Sequence, residues 1–78
     1  MNNQLIKSIR MSLHLNQNEF SKLIGVGRSE LANIEAGYRD VSENLVRAIR
    51  ENIDLEFIKK VEEVYNNGQK ILSKMQYE

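Results

Sequence analysis

Arg28, Ser29, Glu30 and Asn33 gather four hydrogen-bonding side chains within six positions of this 78-residue chain. Wound into a helix, they and Ala32 share an outer face, opposite apolar Leu31 and Ile34. Such a set recognises a partner by hydrogen bonding. It is not a catalytic group, because no nucleophile, base and orienting residue fall together anywhere in the sequence. His14 is the single histidine and there is no cysteine, so neither a metal site nor a disulfide has its ligands. Glu62-Glu63 sit beside Lys59-Lys60, which is the pattern of a solvated helix face. No enzyme, metal or cofactor is expected.

Two short helical patterns position those polar residues. The first runs from Gln17 to Ile24 with apolar Phe20, Leu23 and Ile24; the second runs from Arg28 to Ala36 with Leu31 and Ile34. Gly25-Val26-Gly27 lies between them, and Gly25 and Gly37 suit the left-handed positions that end helices. Asn16 is a good N-cap, with Glu19 three residues later completing a capping box. Neither segment reaches the roughly 12–15 residues at which a lone helix is marginal in water, so each must pack on its neighbours. A short, polar, protruding helix held by a tight turn has the shape that enters a DNA major groove.

The remaining pattern is also helical. Asn3 to Leu13 places Leu5, Ile6, Ile9 and Leu13 on one face. Ser42 caps a helix from Glu43 to Asn52 with apolar Leu45, Val46 and Ile49, then Ile53; Asp54 caps a long pattern from Leu55 onward. There is no proline and no strand signal, so the chain reads as all-α. It has no run near the ~20 apolar residues of a membrane span and no signal-peptide core at its start, which predicts a cytoplasmic protein. Net charge is zero, but its distribution is uneven. Lys7, Arg10, Lys22, Arg28 and Arg39 outnumber Glu19, Glu30 and Glu35 in residues 1–39, whereas acids outnumber bases beyond. The N-terminal half carries the bias that a phosphate-facing surface needs.

Ile6, Arg10, Leu15, Gln17, Glu19-Phe20, Leu23, Gly25-Val26, Arg28-Ser29, Leu31, Ile34-Glu35, Gly37, Ser42 and Leu45 together carry a family resemblance. Residues 5–54 resemble the lambda repressor/Cro-type (XRE) helix-turn-helix domain of phage and bacterial regulators. The resemblance implies a compact five-helix domain whose third helix reads double-stranded DNA. Arg28, Ser29 and Asn33 would reach base edges, since Arg matches guanine and Asn matches adenine. Gln17 would bind a phosphate at the start of its helix, and Asn16, Arg39 and Asn44 would hold the backbone as well. Arg10 and Glu35 match a salt bridge that ties the first helix to the end of the third. The sequence departs from the usual pattern at Ser21 (usually Ala), at Gly27 (usually a Ser or Thr cap) and at Glu30, an acid read as favouring the helix dipole.

From Leu55 the spacing changes. Phe57, Val61, Val64, Gly68, Ile71 and Met75 alternate by four and three, a heptad seam, and Ile58, Tyr65 and Leu72 add a second apolar line. The division expected is a DNA-binding domain over 1–54 and a dimerising segment over 55–78, with Phe57, Val61, Val64, Ile71 and Met75 at the seam. Folding back onto the first and fourth helices is the alternative use of the same stripe. Asn66-Asn67-Gly68 marks a place where this helix either bends or runs through. Tyr38 and Tyr65 are read as packing residues. The expected protein is a homodimeric repressor that occludes a promoter at a near-palindromic operator, with phage or mobile-element character by analogy. The competing expectation is an adaptor or antirepressor that uses the same fold to bind another regulatory protein.

Overall fold

The computed structural model describes the backbone of residues 1–76 and the side chains of residues 1–68. Among them are five helices and no strand: α1 (Asn3–Ser12), α2 (Gln17–Ile24), α3 (Arg28–Glu35), α4 (Glu43–Asn52) and α5 (Leu55–Gln76). The all-α expectation holds. Two helices are one residue shorter than their apolar spacing implied, since Leu13 and Ala36 are the C-caps of α1 and α3.

Local chemistry explains four helix starts and the end of α2. The Asn2 Oδ1 accepts from the Leu5 amide at 2.8 Å and starts α1. The capping box of α2 is complete: Asn16 Oδ1 accepts from the Glu19 amide at 2.7 Å, and Glu19 Oε1 accepts from the Asn16 amide at 3.0 Å. Ser42 Oγ accepts from the Leu45 amide at 3.2 Å, and Asp54 Oδ1 from the Glu56 amide at 3.2 Å. Gly25 ends α2 at φ 75°, and Ser21 O accepts from the amides of Gly25 and Val26.

Gly27, at the N-cap of α3, has extended backbone and offers no side chain to the helix start. Nothing lies within 4 Å of a Cβ built on either glycine of this turn, so backbone preference alone decides a substitution there. Gly25→Ala is therefore expected to cost about 1 kcal/mol through its left-handed φ. Gly27→Ser is expected to stabilise by a few tenths. Urea unfolding of the two variants checks the opposite signs.

One core joins all five helices. Ile6, Ile9, Phe20, Leu31, Ile34, Leu45 and Ile49 are fully enclosed, and Leu5, Ile24, Ile53 and Ile58 complete the cluster. Each such side chain contributes about 1.5–3 kcal/mol relative to exposure. Leu23, expected inside, is 46% exposed, whereas Ser21 is buried. A small side chain fits this inward position of α2, and Ser21 Oγ satisfies itself by donating to Asn18 O at 2.9 Å.

The long helix divides its stripe. Ile58 enters the core, and Phe57, Val61 and Tyr65 lie partly buried against it, so the first half of α5 folds back onto α1. Tyr65 Oη donates to Gln4 Oε1 at 2.8 Å and accepts from Asn2 Nδ2 at 3.4 Å, which fixes α5 to the start of α1. Val64 remains 72% exposed and Met11 of α1 57% exposed. These two line an open groove of about 540 Å³ with Ser8, Ser12, Phe57 and Val61. The helix runs unbroken through Asn66-Asn67-Gly68. The side chains of Ile71, Leu72 and Met75, and all of Tyr77, lie outside the described residues.

Candidate nucleic-acid interface

Leu31 and Ile34 turn one side of α3 into the core and thereby fix the opposite side outward. At 100° per residue, Ser29 and Asn33 lie four apart on that outward face, with Arg28 at its flank and half-buried Ala32 between. Arg28, Ser29 and Asn33 are exposed, and no side-chain hydrogen bond among the described residues engages them. Their donors and acceptors are thus available to a partner. Glu30 differs. It is half-buried, and its Oε1 accepts from Ser42 Oγ at 3.5 Å, so the acid turns toward the start of α4. That position sets its charge near two helix N-termini, consistent with a dipole role.

The frame behind α3 is an ion pair. Arg10 Nε lies 2.8 Å from Glu35 Oε2 and 3.1 Å from Oε1, while Nη2 lies 2.9 Å from Oε1. Only 13% of the Arg10 side chain and 3% of the Glu35 side chain reach solvent. Arg10 Nη1 also donates to Leu15 O at 2.8 Å, bringing the α1–α2 connection into the same cluster. The bridge implied by the resemblance is present, and it fixes α1, the entry to α2 and the end of α3 at once.

Gln17 completes this cluster, because its Nε2 donates to Glu35 Oε1 at 3.2 Å. That bond uses one amide hydrogen and leaves the second free, so Gln17 can hold a phosphate while α3 holds Gln17. Asn16 spends its Oδ1 on the cap and keeps its Nδ2. Asn44 is exposed on α4 and shares a shallow groove with Gly25, Gly27 and Glu30 of the turn. Arg39 is exposed in the loop after α3.

Two residues of this surface lay outside the sequence expectations. Tyr38 is 84% exposed and not a packing residue, because the Gly37 turn (φ 83°) carries it past the core. Asn3 donates through Nδ2 to Ile34 O at 2.7 Å and to Arg39 O at 2.8 Å. Exposed placement after a left-handed glycine was a usable signal for Tyr38. For Asn3 no spacing rule existed, as its partners lie more than thirty residues away.

A short polar helix set behind a glycine turn, with a capped helix start beside it, defines a helix-turn-helix DNA-binding domain. The helix-turn-helix family model matches residues 6–57, two thirds of the chain, and the protein belongs to that family as a lambda repressor/Cro-type DNA-binding regulator. No curated protein and no solved structure gives a match. Among the described residues no helix is long and apolar enough to cross a membrane.

Proposed function

We propose that this regulator is a sequence-specific, cytoplasmic repressor that binds a near-palindromic operator as a homodimer and occludes a promoter. The observation that carries the reading is the outward face of α3, where Arg28, Ser29 and Asn33 are exposed and no side-chain hydrogen bond among the described residues engages them. In this account Arg28 and Asn33 make the bidentate base contacts and Ser29 adds a single one. Gln17, Asn16, Arg39 and Asn44 grip the sugar-phosphate backbone and set register without reading sequence. Residues 1–54 serve as the DNA-binding part and residues 55–78 as the dimerising part.

Dimerisation is supported by the free edge of α5. Val64 and Met11 expose apolar surface beside half-buried Phe57 and Val61, and the heptad spacing continues that line through Ile71 and Met75. A small core without disulfides gains stability from association. Val64→Asp is expected to give a folded monomer, because Val64 contributes nothing to the core. Sedimentation should show the wild-type chain at twice the variant's mass; equal masses contradict the seam. On a promoter carrying the bound sequence, the wild-type protein should add two chains per operator and suppress run-off transcripts. One chain per operator, or unchanged transcription, contradicts the reading.

A further inference from the structure

Asn3 occupies the first position of α1, where a side chain is ordinarily free to face water. Instead its amide spends both hydrogens across the fold. One goes to Ile34 O, in the last turn of α3 (2.7 Å), and the other to Arg39 O, in the loop that follows (2.8 Å). The start of that loop is held separately, since the amides of Tyr38 and Arg39 both donate to Asn33 O, at 2.9 and 3.3 Å. Asn3 adds a second tie at Arg39, through the carbonyl of the residue whose amide already meets α3. The two residues so held present an exposed phenol and an exposed guanidinium, Tyr38 and Arg39. No side-chain hydrogen bond among the described residues engages either. An adjacent hydroxyl donor and cation, fixed beside a base-reading helix, match the phosphate oxygens that flank the bases being read.

We infer that Asn3 is a positioning residue for DNA binding. It clamps the Tyr38–Arg39 loop to the end of α3, so that the two side chains meet the DNA backbone without first being ordered. The inference rests on the proposed DNA-reading function. A loop released from the clamp must lose its conformational freedom on binding, and affinity falls for every sequence alike.

The test uses Asn3→Ala and Asn3→Ser, so that one poorly folding variant does not decide the matter, with circular dichroism recording helix content. In DNA-free protein, amide exchange at Tyr38 and Arg39 is expected to quicken about tenfold while Leu31 and Ile49 are unchanged. On the operator, affinity should fall about three- to tenfold. The slope of log affinity against log salt should stay at the wild-type value, because the ordered loop still makes its phosphate contacts in the complex. In a background lacking both side-chain contacts, Tyr38→Phe with Arg39→Ala, removing Asn3 should have no further effect on affinity. Unchanged exchange, a flattened salt slope, or losses that simply add to those of the Tyr38→Phe, Arg39→Ala pair overturns the inference. Failure to bind any DNA overturns the functional reading and the positioning role with it, while the exchange measurement still reports whether the clamp exists.

Discussion

Arg28→Ala is expected to remove about 2–6 kcal/mol of operator affinity from the dimer and to leave the fold at least as stable as before. The affinity term follows from one bidentate base contact per recognition helix, worth about 1–3 kcal/mol, made twice at well-separated half-sites. The stability term has the opposite sign for a local reason. Arg28 is the first residue of α3, so its positive charge sits at the positive end of the helix dipole, where Gly27 supplies no side-chain cap. Its side chain is exposed and makes no hydrogen bond among the described residues, so truncation leaves nothing unsatisfied. A residue unfavourable for its own helix and unused by the fold fits the base-contacting role proposed for it. Fluorescence anisotropy against single-base variants of the operator checks this: Arg28→Ala should lose discrimination at one base pair per half-site. Gln17→Ala, by contrast, should weaken all sequences alike, because a phosphate contact carries no base information.

Arg10→Ala is expected to bring the domain to the edge of unfolding. Glu35 keeps only 3% of its side chain exposed, and Arg10 supplies three of the close contacts to its carboxylate, while Gln17 supplies one. Removing the guanidinium strands a buried charge and also takes the donor from Leu15 O. The cost is about 3–5 kcal/mol, similar to the roughly 3–5 kcal/mol that a core of this size provides. Replacing both partners by apolar residues of similar size, Arg10→Met with Glu35→Leu, should restore most of that stability, since no charge is then buried. The double variant should still bind DNA more weakly, because Gln17 loses the carboxylate that holds it. Urea titration of the three proteins reads the stability effect, and anisotropy on the operator reads the binding effect. A single variant as stable as wild type would show that the bridge does not fix this geometry.

What the sequence made legible was short-range. The capping box of Asn16 and Glu19, the left-handed Gly25 and the caps at Ser42 and Asp54 each depend on residues at most four apart, and each is where spacing put it. The Arg10–Glu35 bridge came from the family resemblance, since nothing local joins residues 25 positions apart. Long-range polar contacts were hidden for the same reason: Asn3 to Arg39 and Tyr65 to Gln4 join chain segments that only the finished packing brings together. Apolar spacing also names a face without saying which edge of it is covered. Leu23 therefore proved half-exposed while Ser21 went inside, and the α5 stripe divided between its own core at Ile58 and solvent at Val64.

The central claim is that α3 reads sequence while paired chains hold it in register. Selection from a random pool of double-stranded DNA by the purified full chain, at stated salt, tests this most directly. The account predicts enrichment of one inverted repeat with half-site centres about 34 Å apart, one turn of DNA. Recovery of an unenriched pool would contradict it and would leave this helix-turn-helix surface to a protein partner.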